Sequence, residues 1–141
     1  MFLFSPVVPV KKAVELLNLA KEANEHLYGH ALETARIAKA NFINEYTKNN
    51  VFSDNNENAL VAWDNNKPTI FVDRTEEMKN RVFRMSTNID HVGKFNMATT
   101  FTISPEMVAE LLDAIPTDLR EAGLDDIADE YSNAITTLLY S

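Results

Sequence analysis

Residues 22–33 read EANEHLYGHALE, and within them Glu22, His26, His30 and Glu33 recur at intervals of four, four and three. On a helix these side chains form one ridge, because residues three and four apart are neighbours. Imidazoles at i and i+4 can converge on one ion, so the ridge is a candidate site for a divalent metal. His91, beside Asp90, is the remaining histidine and could complete a three-histidine set. The order E-x3-H-x3-H-x2-E puts no glutamate between the histidines, so the general base of an H-E-x-x-H hydrolase is missing. Nor is it the E-x-x-H of di-iron bundles. The same spacing also describes a solvated helix face with short Glu–His pairs.

A second constellation is the basic run RTEEMKNRVFR, residues 74–84. Arg74, Arg81 and Arg84 share one side of a helix, and guanidiniums so placed can grip a phosphate or carboxylate bidentately. Glu76 and Glu77 lie among them, which offers local pairing as the competing use. The chain has no cysteine and only three glycines. Thiol nucleophiles, thiolate metal sites and a glycine-rich phosphate loop are therefore absent. None of the serines stands in a G-x-S-x-G or S-x-x-K context, and Ser104 is better placed as a helix cap. No catalytic residue is assigned, no cofactor is expected, and the metal at the ridge is the alternative.

Charge is concentrated at one end. Residues 1–104 hold twelve basic and twelve acidic side chains, whereas residues 105–141 hold Arg120 alone against nine carboxylates, which accounts for the whole net charge of −8. Asp118, Glu121, Asp125, Asp126, Asp129 and Glu130 form a row that could face a basic protein partner. Direct nucleic-acid binding needs a basic footprint and is not expected. Mimicry of nucleic acid is compatible with the row.

The start, MFLFSPVVPV, is apolar and interrupted by Pro6 and Pro9. It has no basic region before it, no small-residue cleavage site after it, and too few residues to span a bilayer. It reads as an edge strand or an arm that lays Phe2, Leu3 and Phe4 on a neighbouring subunit. The chain is accordingly expected to be soluble and intracellular, in a host cytoplasm or a virion if viral.

The elements that must position these residues fit one domain of 141 residues. Residues 11–48 contain no proline and carry a stripe of Ala13, Leu17, Ala20, Asn24, Leu27, Tyr28, Ala31 and Ala35 at helical period, continued by Ala38, Phe42 and Tyr46. Such a helix would be roughly 57 Å long, so it bends or breaks near Gly29 or projects beyond its own domain. Residues 59–73 read as a hairpin about Asp64–Pro68, in a chain whose asparagines cluster at turns such as 49–58. Asp73 and Glu76 resemble a capping box opening a helix to about Asp90, with Met78, Val82, Met85 and Ile89 on its apolar side. Residues 94–104 alternate as a strand. Ser104-Pro105 starts a further helix, expected to end near Ile115-Pro116, and TDLREAG leads to a last helix from about Asp126. The fold class is α+β: a small antiparallel sheet of the hairpin, the 94–104 strand and an N-terminal edge strand, covered by a long N-terminal helix and acidic C-terminal helices.

The overlong alanine-striped helix and the apolar arm together point to a non-enzymatic protein that works through protein–protein contact, as a subunit of a homo-oligomer or larger assembly. Small size and abundant asparagine suit a viral or phage component. An acidic inhibitor docking its C-terminal helices on a basic partner is the second reading. A small-ligand or metal-dependent enzyme using His26, His30, Arg81 and Arg84 is the third.

Overall fold

The computed structural model describes residues 5–46, 59–64, 67–94 and 99–140. The arm residues Phe2, Leu3 and Phe4, the asparagine cluster 49–58, and Phe95 and Met97 of the expected strand lie outside them, as do the side chains of Phe42 and Tyr46. The elements in order are β1 (Val7–Pro9), α1 (Val10–Tyr46), β2 (Ala59–Asp64), β3 (Lys67–Val72), α2 (Thr75–Gly93), β4 (Thr100–Thr102), α3 (Pro105–Ala109), a π-helical turn (Glu110–Ala114), α4 (Ile115–Glu121) and α5 (Asp125–Tyr140). Helices dominate. No described helix is long and apolar enough to cross a membrane.

Helix α1 runs 37 residues, roughly 55 Å, and continues through Gly29 without a break. It packs most extensively on α2 and also touches α4, α5, β1, β2 and β4. The expected stripe is largely the buried face: Ala13, Leu17, Ala20, Asn24, Leu27, Ala31 and Ala35 are buried, with Leu16 and Ala23 beside them, while Tyr28 and Ala38 are only half-buried. Alanine along this line leaves room for the partner helices to come close. From α2, Met78, Met85 and Val92 enter the core; from the C-terminal helices come Leu111, Ile115, Leu119, Ala128, Tyr131 and Ile135. The Tyr131 hydroxyl donates to the Leu111 carbonyl at 2.9 Å, and burial pushes its phenol well above the ordinary range.

The strands form two separate antiparallel pairs, not the single sheet expected from sequence: β1 with β4, and β2 with β3. In the first, Val8 stands opposite Phe101, flanked by bonds from Ile103 N–H to the Pro6 carbonyl (2.9 Å) and from Val10 N–H to the Thr99 carbonyl (3.0 Å). Residues 6, 8 and 10 thus turn their backbone toward β4. Pro9, one residue out of step, directs its nitrogen away, where a missing donor costs nothing. The bond from Val10 N–H to Thr99 also satisfies an amide at the start of α1, which has no partner within the helix. In the hairpin, two residues separate Asp64 from Lys67, which makes 64/67 a hydrogen-bonded pair and, by alternation, Trp63/Pro68 a non-bonded one. Proline is again out of the ladder.

Helix termini follow local chemistry. Asp73 accepts from Thr75 N–H at 2.8 Å, a shorter loop than the expected capping box, and hydrogen bonding from Thr75, its side chain first and this amide after it, holds the carboxyl below the ordinary range. Ser104 accepts from Met107 N–H at 3.1 Å with Pro105 in the first turn. The helix from Pro105 does not end at Ile115-Pro116. It widens over Glu110–Ala114, where Ile115 N–H reaches back to the Glu110 carbonyl, and runs on through Pro116. A wider turn relieves the clash between the proline ring and the preceding carbonyls and dispenses with the missing donor. The helix ends at Gly123 with φ +77, where Leu124 N–H bonds the Leu119 carbonyl at 2.8 Å and Gly123 N–H that of Arg120 at 2.9 Å. This glycine-capped corner turns the chain into α5.

Asn24 is the exception in the core. It is fully buried, and neither its side-chain oxygen nor its nitrogen finds a partner among the described residues. An unsatisfied buried amide costs on the order of 1–3 kcal/mol. Asn24→Leu, near in volume and apolar, is therefore expected to raise the thermal midpoint by several degrees, at about 4 °C per kcal/mol for a domain of this length. A lower midpoint by calorimetry would mean that the amide is satisfied.

Candidate functional site

The three arginines of the basic run meet the protein's own carboxylates. Arg74 grips Glu77 with two bonds, Nε to Oε2 at 2.9 Å and Nη2 to Oε1 at 3.0 Å, and its Nη2 lies 3.8 Å from Asp118 Oδ2. The bonds from Arg74 hold the Glu77 carboxyl below its usual range, and Glu77 in turn raises Arg74. Arg81 Nη1 donates to Asp118 Oδ2 at 2.5 Å and lies 3.5 Å from Met78 Sδ. Arg84 pairs with Glu110. The side of α2 read as an anion grip therefore closes on the C-terminal helices, one turn after another. Asp118, expected in the open acidic row, is a clamp residue, its side chain 17% exposed against 11% for Arg81. A pair this sheltered contributes through geometry as much as attraction, because removing one member strands the other charge.

The ridge lies on α1 at the flank of the buried stripe. Glu22, His26, His30 and Glu33 are all exposed. His30 Nε2 lies 3.2 Å from Thr34 Oγ1. Glu33 is engaged by Arg36 at 2.5 Å, which lowers its carboxyl below the ordinary range. His91 belongs elsewhere, beside a cleft lined by Leu16 and Leu17 near the other end of α1. Among the described residues, no three His, Asp or Glu side chains come together closely enough to hold a metal ion.

What the ridge does face is the acidic row. Glu22 and His26 border a cleft of about 270 Å³ whose opposite wall is Glu130 of α5, over a floor that includes Leu19, Ala23, Ile127 and Ala134. One turn further along α1, His30 and Thr34 border a cleft of about 250 Å³, facing Arg74, Asp118 and Glu121. Its floor includes Leu27, Ala31, Met78 and Phe71. Residues 19–26 of α1 thus lie beside 127–134, and residues 27–34 beside 118–122, so the α4–α5 corner runs antiparallel to α1. The two clefts follow one another along one side of the helix. The remaining row residues, Asp125, Asp126 and Asp129, are exposed outside both clefts, Asp129 paired with Arg120 at 2.7 Å.

Chemically the groove offers alternating apolar floor and carboxylate wall, with two imidazoles at its lip. Sequence reasoning found the ridge, the arginines and the acids one by one. It missed that they converge, and it missed Thr34, Phe71, Val72 and Met78 as lining residues, for which no local signal exists. No protein-family profile matches this sequence, and no curated protein or solved structure is significantly similar to it.

The clamp gives a direct expectation. Asp118→Ala leaves Arg81 sheltered and without its carboxylate, and should cost about 2 kcal/mol in urea unfolding. Glu121→Gln on the open rim should stay within about 0.5 kcal/mol. Equal effects of the two substitutions would show that Asp118 is only a surface charge.

Proposed function

We propose that this protein works through protein–protein contact, as a subunit of a homo-oligomer or larger assembly. The supporting observation is the mismatch between α1 and the body it organises. Its buried stripe stops at Ala35, and among the described side chains none from Arg36 to Asn41 is buried, yet the helix continues to Tyr46. Its main partner α2 has 19 residues, about 28 Å. Around the end of that stripe apolar side chains are exposed on two flanks: Leu32, within it, and Ile37, beyond it, are each 45% exposed and stand about 140° apart around the helix at 100° per residue. Val72, at the end of the hairpin strand beside it, is 51% exposed. Exposed apolar side chains on two separate flanks of one helix, beside an exposed strand valine, are the pattern expected of a surface that another chain covers.

A second reading, an acidic inhibitor or nucleic-acid mimic docking on a basic partner, draws on the exposure of Glu121, Asp125, Asp126, Asp129 and Glu130. Its mark is an association that weakens steeply with salt, whereas an apolar contact strengthens or holds.

Light scattering coupled to size exclusion decides the first reading. The expected mass is a multiple of 15.9 kDa. Leu32→Glu with Ile37→Glu should lower it toward one chain while the far-ultraviolet dichroism stays helical. A single-chain mass at every concentration would remove self-assembly.

A further inference from the structure

We propose that the groove between α1 and the α4–α5 corner is a docking site for a basic helix of a partner protein, each cleft taking one lysine or arginine side chain. This rests on the reading that the protein works through protein contact, and it supplies the partner's chemistry. The first cleft has two carboxylates, Glu22 and Glu130, with His26 at its rim and no arginine or lysine among its described lining residues. The second has Glu121 beyond the clamp; Arg74 faces it too, but Glu77 and Asp118 already hold that guanidinium. None of the described ion pairs involves Glu22, Glu121 or Glu130.

Lysine and arginine suit such a cleft because their alkyl stems cover apolar surface while the charged head reaches the rim. Here the stem would lie on Ala23, Ile127 and Ala134 in one cleft and on Leu27, Ala31 and Met78 in the other. Each cleft is too small for a helix and large enough for a side chain. The α1 segments that border them, 19–26 and 27–34, are eight residues apart from centre to centre, about 12 Å. A partner helix presents residues seven or eight apart on one face at about 10–12 Å, so one helix can fill both clefts with two basic residues. The carboxylate wall makes an acidic or phosphate-bearing partner unfavourable by like-charge repulsion.

The probe is a fluorescein-labelled, alanine-rich helical peptide with two lysines seven residues apart, compared with an isomer whose lysines are nine apart and so lie on opposite faces. Fluorescence anisotropy should show the first peptide binding more tightly. Glu22→Gln with Glu130→Gln should weaken it about tenfold, a difference of ~1.4 kcal/mol. Asp125→Asn with Asp126→Asn removes the same charge outside both clefts and should change affinity less than about twofold. Equal weakening by the two double variants, equal binding of the two peptides, or no binding by the unaltered protein would overturn the proposal. Light scattering on the same samples separates the two ideas. A single-chain protein that binds the spaced-seven peptide keeps the groove and loses self-assembly, and an oligomer that ignores the peptide does the reverse.

Discussion

The alanine stripe of α1 sets how near its neighbours can come, and the rest of the fold is arranged around that distance. A helix whose buried face includes Ala13, Ala20, Ala23, Ala31 and Ala35 presents a shallow surface, so α2, α4 and α5 can come close enough for Met78, Met85, Leu119 and Ile135 to share one buried cluster with Leu16, Leu17 and Leu27. Larger side chains along that line would force the helices apart, at a typical cost of about 1–3 kcal/mol each. The short strands depend on it too. Neither two-stranded pair would be stable alone in water, and β1, β2 and β4 all touch α1.

Close approach also explains where the charges end up. With α2 and the C-terminal helices drawn in against α1, three arginines face carboxylates across a narrow seam, and Asp118 and Glu110 are consumed as internal partners. What remains of the acidic row stays exposed, and part of it lines the far side of a groove whose near side is the histidine ridge. One constraint, the closeness of the packing, therefore both neutralises part of the acidic C-terminal region and leaves the other part concentrated beside apolar floor.

Several features were legible without coordinates because their causes are local. The buried stripe follows from a 3.6-residue period, and Ser104-Pro105 from capping chemistry. Helix α2 was expected from just after Asp73 to about Asp90 and runs from Thr75 to Gly93. The stop expected at Pro116 failed because a proline penalty can be met by a π-helical turn just before it, and nothing in the residues themselves announces that accommodation. The single sheet failed because alternation tells that a segment is extended but not which segment it pairs with. That choice is made by what α1 brings within reach.

The sequence by itself determined the helical stripe, the uneven charge, the capping residues and the candidate side chains, because each is written in residue type and spacing over a few turns. Tertiary structure alone decided that Arg81 closes on Asp118 from 37 residues away, that Asn24 is sealed in without a partner, and that Glu22 and His26 share a cleft with Glu130. The physical reason is that these contacts depend on how whole helices pack, and interhelical distance and angle are set by the summed fit of many side chains. EANEHLYGHALE was a ridge on paper. In the fold it is one wall of a groove.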